Sequence, residues 1–185
     1  MSFKESNMLL LGTKMPKFSL VNVQNKEIIS IDEGESFNGI LIMFICNHCP
    51  FVIHVLPEIV RIAGDYIQKG IKIIAISSND IKNYPDDSPD KMKDLALEWK
   101  FKFPYCYDED QSVAKAFDAA CTPDFYLFDK YSLLAYRGRM DESRPGNNIP
   151  LTGNDLRSAI DQILIGEKPS GNQYPSAGCN IKWKK

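Results

Sequence analysis

The chain lacks much that would send its reading elsewhere. It has only two histidines, His48 and His54, and a single C-x-x-C, so the second ligand cluster of a closed structural zinc site is missing. Neither charge is in excess: 22 basic and 24 acidic residues leave a net charge of −2, with no basic stripe to suit a nucleic acid or an anionic membrane. Long apolar runs are missing too. The longest, Ile40 to Cys46, is far short of the roughly 20 residues of a membrane helix. The N-terminal residues have no apolar stretch of the roughly 7 to 15 residues of an export signal, so cytoplasmic residence is expected. Five cysteines are an odd number, and in a reducing compartment they are poorly explained as a disulfide framework. No repeat, low-complexity tract or linker divides the 185 residues, so one domain over 1–185 is expected.

What is present reads as alternating strands and helices. "KFSLVNVQNKEIISI" alternates around "QNK", which predicts a β-hairpin extension ahead of the main fold. "GILIMFIC" and "IKIIAIS" are short, β-branched, unbroken apolar runs, as strands buried on both faces require. Between them Val52, Val55, Leu56, Ile59, Val60 and Ala63 form a helical stripe that ends at Gly70. That unit implies a right-handed crossover to a parallel neighbour. Ser88 followed by Pro89 predicts a helix start, Tyr105 to Tyr107 a short strand, and "DQSVAKAF" a short helix. "DFYLFDKYSLLAYRGRM" predicts two strands joined at Asp129 and Lys130, and Thr152 with Asp155 predicts the start of a last helix. Residues 167–185 have no periodicity and are expected to form an irregular tail. The expected class is α/β, a mixed β-sheet flanked by helices on both faces.

"FICNHCPFVIH" carries the chemistry. Cys46 closes a buried strand and Cys49 follows at the spacing of one helical turn, which suits a reversible disulfide. A helix N-terminus favours a thiolate and lowers C-x-x-C thiols to roughly 3.5 to 7.5. On that basis Cys46 is the expected outer nucleophile and Cys49 the resolving thiol beneath it. His48, between them, could place a proton or positive charge beside the Cys46 thiolate, whereas His54 reads as a partly buried helical histidine. Pro50 directly after Cys49 disfavours α geometry at Cys49, so the helix is expected to begin late, which would weaken its effect on Cys46.

In "GTKMPKFSL", "CNHC", "FPYCYDEDQSVAKAF" and "CTPDFYLFD" the chain resembles the thioredoxin-like superfamily, in its redoxin or AhpC/TSA branch, and "PSAGCNIKW" resembles the ending of one subgroup. The resemblance implies a thioredoxin-like fold and a thiol-disulfide oxidoreductase without metal or organic cofactor. Its substrates would be protein or small-molecule thiols and disulfides, and an unidentified redox partner would complete the cycle. It also implies a cis peptide at Thr122-Pro123, a loop there that faces the cysteine pair and binds extended substrate backbone, and Cys121 near the pair. Ile45 stands where thioredoxins carry tryptophan, and His54 where they carry a helix proline.

The alternative within this fold is a peroxiredoxin-like peroxidase using Cys49 or Cys46. Met43 stands where the peroxidatic threonine would precede Cys46, and Arg137, Arg139 and Arg144 read as a solvated charge cluster rather than a peroxide clamp. A zinc module or a non-catalytic peptide-binding module are remoter readings. Cys106 reads as a small core residue, and Cys179 as packing under the tail rather than a further thiol at the site.

Overall fold

The computed structural model describes residues 2–31 and 36–185. In chain order the elements are β1 (Phe3–Glu5), β2 (Ser19–Asn22), β3 (Ile28–Ser30), β4 (Gly39–Phe44), α1 (Pro50–Tyr66), β5 (Ile71–Ser77), α2 (Pro89–Glu98), β6 (Tyr105–Tyr107), α3 (Ser112–Ala116), β7 (Cys121–Thr122), β8 (Asp124–Asp129), β9 (Leu134–Gly138), α4 (Asn154–Leu164) and β10 (Ala177–Asn180). Seven strands form one mixed sheet in the order β3-β2-β6-β5-β4-β8-β9, and a second sheet of three runs β1-β10-β7.

The unbroken apolar run of β4 is explained by its position. It lies between β5, parallel to it, and β8, antiparallel, with both faces covered. Because successive side chains alternate faces, Leu41 and Met43 pack with Val52, Leu56 and Ile59 of α1, with Met92 of α2, and with Leu156 and Ile160 of α4. Ile40, Ile42 and Phe44 face the other way, onto Phe117, Ala114 and Tyr126. The sheet is thus sandwiched by helices, with α1, α2 and α4 on one side and α3 on the other.

Helix α1 is the longest helix among the described residues and carries the site at its start. It is pinned to α4 by Arg157, whose guanidinium reaches Glu58 at 2.6 Å and Asp65 at 2.7 Å. Gly70, at φ +82°, turns the chain after a short 3₁₀ extension, at the place predicted for the helix end.

Three expectations are refined or corrected. The β2–β3 hairpin is no appendage, because Val21 and Asn22 pair with Tyr107 and Cys106, making it the edge of the main sheet. Helix α4 begins at Asn154 rather than at Thr152. The Asp141 carboxylate accepts from the backbone N–H groups of Thr152 and Gly153 and so holds the turn before the helix. The tail is not wholly irregular: its residues Ala177–Asn180 form β10. That strand is held by β1, a strand with no signal of its own in three exposed residues. The turn at Asp129 is as predicted, with the Asp129 carboxylate accepting from the N–H groups of Tyr131 and Leu133.

Candidate active site

The site is built where β4 ends, α1 begins and the small sheet crosses over them. Pro50 takes the first helical position, where its missing N–H costs nothing, and Cys49 precedes it as an extended N-cap with φ −76° and ψ 121°. Cys46 therefore lies in the loop before the helix rather than on its first turn. The late start expected from Pro50 is what the structure has, and it moves the helix-end field from Cys46 to Cys49.

The third component is β7. Its Thr122, joined to Pro123 by a cis peptide, places Oγ1 3.2 Å from Cys46 Sγ and its carbonyl oxygen 3.3 Å from Cys49 Sγ. Thr122 and the cysteine pair are thus brought together as the resemblance implies. Cys121 is buried at the neighbouring strand position, and its sulfur approaches the Pro123 and Ser176 carbonyls instead. The loop is not an open platform: β10 pairs along β7, with Cys179 opposite Thr122 and Asn180 opposite Cys121. This register sets Cys179 Sγ 2.9 Å from Cys49 Sγ, so Cys179 belongs to the site and not to tail packing. The motif "PSAGCNIKW" marks the place in sequence, but nothing local says which strand it will meet.

Within the pair it is Cys49 whose thiol is lowered, to about 5. The main cause is the Cys46 thiol donating to its sulfur; the Cys179 thiol and the backbone N–H groups of Val52 and Cys179 add to it, against the opposing effect of burial. Cys46 is pushed well above the ordinary thiol range, first because it donates to Cys49, then by burial and by the Asp87 carboxylate. Cys179 is pushed up to about 12, chiefly by burial and then by its contact with Cys49. Of the two thiols of the C-x-x-C pair, Cys49 at the helix start is thus the one lowered and Cys46 the one raised. All three sulfurs are buried, Cys46 at 1%, Cys49 at 0% and Cys179 at 5% exposure.

Asp87, a residue that sequence reading left in a polar loop, is fully buried beside this pair. Its carboxylate accepts from the Asn47 N–H at 2.8 Å and from the Asn79 amide at 2.8 Å. His48 Nδ1 lies 2.7 Å from it, and the His48 ring stacks on Tyr84. His48 is thus turned to a carboxylate, although its ring stays close enough that Cys46, His48 and Asp87 each present one potential ligand atom within 4.8 Å of the others. His54 is occupied elsewhere, with Nε2 2.8 Å from Ser143 Oγ. Arg137 donates to the Leu9 carbonyl and to Gln173, and Arg139 pairs with Asp155 at 2.6 Å, so both guanidiniums are engaged by partners other than the cysteines. Cys106 is in the core, its thiol pushed up to about 12 by burial.

The negative charge of Asp87 penalises a thiolate on Cys46. In a Cys49→Ser background, where Cys46 titrates without its partner, Asp87→Asn is expected to raise the rate of Cys46 alkylation at pH 8 several-fold, with a ceiling of about tenfold for each pH unit by which the thiol titrates lower. An unchanged or lower rate would mean that Asp87 acts on Cys46 only through His48.

A mixed sheet between helices, with a dithiol at the start of the first long helix and a cis-proline strand against it, defines a protein of thioredoxin-like fold. The AhpC/TSA family model matches residues 11–137, and the chain belongs to that family. The crystal structure of an uncharacterized conserved protein from Geobacillus kaustophilus is 52% identical and superposes with a TM-score of 0.97, covering 100% of this chain and 97% of that one. The thioredoxin domain of a thiol-disulfide oxidoreductase from Bacteroides vulgatus shares the fold at 15% identity, with a TM-score of 0.62, over 82% of this chain and 99% of that one. In sequence the chain is 22% identical over 129 residues to the thiol-disulfide oxidoreductase ResA of Bacillus thuringiensis, 69% of each chain. Among the described residues no helix is long and apolar enough to cross a membrane.

Proposed function

We propose that the protein is a thiol-disulfide oxidoreductase that works through a Cys46–Cys49 dithiol/disulfide couple, on protein or small-molecule thiols and disulfides, in the cytoplasm. The observation that carries this reading is the pair itself: Cys46 and Cys49 are both buried at the start of α1, with Thr122 Oγ1 3.2 Å from one sulfur and its carbonyl oxygen 3.3 Å from the other. The relationship to ResA is in keeping with it.

In this reading Cys46 is the thiol that meets the substrate: it is itself 1% exposed, but it lies in the loop before the helix, next to the partly exposed Asn47 and His48. As the Cys46 sulfur attacks a substrate disulfide, its proton passes to the Cys49 thiolate. One substrate thiolate leaves and collects that proton. The Cys49 thiolate then attacks Cys46 Sγ, the Cys46–Cys49 bond forms, and the second substrate thiolate departs. The base and the resolving nucleophile are the same sulfur, and the lowering of the Cys49 thiol by its hydrogen-bond donors suits both roles. Phe51, His54, Arg144 and Ala177 line a shallow surface cleft beside Pro123.

The test is equilibration of the reduced protein in defined glutathione buffers, followed by acid quench and peptide mapping. A Cys46–Cys49 disulfide that appears and disappears reversibly with the buffer is the expected result. Cysteines that stay reduced, or that give only glutathione adducts, would overturn the reading.

A second reading, a thiol peroxidase at Cys49, draws on the thiolate there. Rapid peroxide consumption by the Cys46→Ser variant would establish it. The Cys46, His48 and Asp87 cluster favours a third, zinc retention, since three protein donors suffice for an open site. Stoichiometric zinc that resists mild chelation and is lost on changing Cys46 would support that reading over the redox one.

A further inference from the structure

We propose that Cys179 is a third redox-active thiol, and that Cys49 exchanges its disulfide partner between Cys46 and Cys179. Such an exchange rests on the dithiol couple proposed above and extends it to a residue of the C-terminal strand.

The geometry carries it. Cys49 Sγ and Cys179 Sγ are 2.9 Å apart, closer than two sulfurs in ordinary packing and within an ångström of the roughly 2.05 Å of a disulfide. The approach is built into the fold: β10 is held between β1 and β7, with Cys179 directly opposite Phe3 on one side and Thr122 on the other. Gly178 permits it, because a Cβ there would lie 1.9 Å from the Thr122 carbonyl oxygen. Cys49 is thus in contact with a thiol on each side. The direction of the thiol values agrees, since the Cys46 and Cys179 thiols both lower Cys49.

In the oxidised protein the Cys179 sulfur attacks Cys49 Sγ. The Cys49–Cys179 bond forms, the Cys46–Cys49 bond breaks, and its electron pair leaves on Cys46, which takes up the proton given by Cys179. The step is an isomerisation, in which no electrons enter or leave the protein. Its product keeps the two-electron oxidation in a disulfide between α1 and β10, and returns Cys46 as a thiol beside Thr122. Oxidised protein would then still present a nucleophile to substrate, which a two-cysteine couple cannot do.

Full-length wild type, Cys46→Ser, Cys179→Ser and Cys46→Ser/Cys179→Ser are oxidised in glutathione buffer, acid-quenched, alkylated and mapped, with far-UV circular dichroism confirming the fold of each. Cys179→Ala serves as a second variant should serine at the buried position unfold the chain. Cys46→Ser is expected to form an intramolecular Cys49–Cys179 disulfide as its main oxidised product, and the double variant to lose it and carry a glutathione adduct on Cys49. Wild type should show both Cys46–Cys49 and Cys49–Cys179 linkages. Cys46→Ser that yields only glutathionylated Cys49 overturns the proposal. The Cys179→Ser protein reads the Cys46–Cys49 couple alone, so failure of that couple is seen separately in that arm.

Discussion

Cys49→Ser is expected to lose thiol-disulfide exchange by at least about a hundredfold at pH 7. A serine there can neither hold the charge of the reduced pair nor take the proton of Cys46, and it cannot resolve a mixed disulfide. What remains is Cys46, freed from donating to Cys49 but still buried and facing the Asp87 carboxylate. A thiol that titrates no lower than an ordinary one is about 1% or less thiolate at pH 7, whereas the wild-type pair is almost fully in its reactive monoanion. The residual reaction should stop at a Cys46–substrate mixed disulfide, visible by mass. Turnover near wild type would show that the couple is not the working unit.

The same variant should change the pH dependence. The ultraviolet thiolate band of the reduced wild type is expected to titrate with a midpoint at about 5, and that step should vanish in Cys49→Ser. Stability follows the same sign. The Cys49 thiol is lower in the folded protein than in the unfolded chain, so its ionisation favours folding. That contribution is complete above the unfolded thiol value near 9 and is lost as pH falls towards 5. Urea midpoints of reduced wild type and Cys49→Ser should therefore converge near pH 5 and separate as pH rises towards 8.

How far such a site can be read from sequence depends on how local its causes are. The strand, helix, strand unit that holds Cys46 and Cys49 is legible because an apolar run followed by a helical stripe has few other solutions. The effect of Pro50 is legible for the same reason: it acts on the residue directly before it. The assignment of the charge is not local. It turns on where the protons of Cys46, Cys49 and Cys179 rest, and Cys179 is brought in by a strand pairing with Thr122. Asp87 has no periodicity to flag it, and only the fold shows that a carboxylate from the loop after β5 is buried against His48. Strands β1 and β10 are too short to announce themselves; β1 has β10 as its partner, and β10 depends on its pairing with β1 and β7.

The pairing of β10 with β7 makes Gly178 a sensitive small residue near the site. Gly178→Ala would place a methyl group 1.9 Å from the Thr122 carbonyl oxygen, 2.7 Å from the Thr122 carbonyl carbon and 3.2 Å from Pro123 Cδ. Two of these neighbours are backbone, so no side chain can rotate away and β10 must part from β7. Overpacking of this kind costs about 1–3 kcal/mol and more where backbone has to move, so a fall of about 3 kcal/mol in stability is expected from urea unfolding. The chemistry should follow the strand. Once Cys179 moves off, Cys49 loses its second thiol donor and a backbone N–H, and the thiolate midpoint should climb from about 5. Gly171→Ala is the control, because a Cβ there meets nothing within 4 Å; its effect should stay within about 0.5 kcal/mol. Equal stability and an equal thiolate midpoint in the two variants would mean that the contact between β7 and β10 does not position the cysteines.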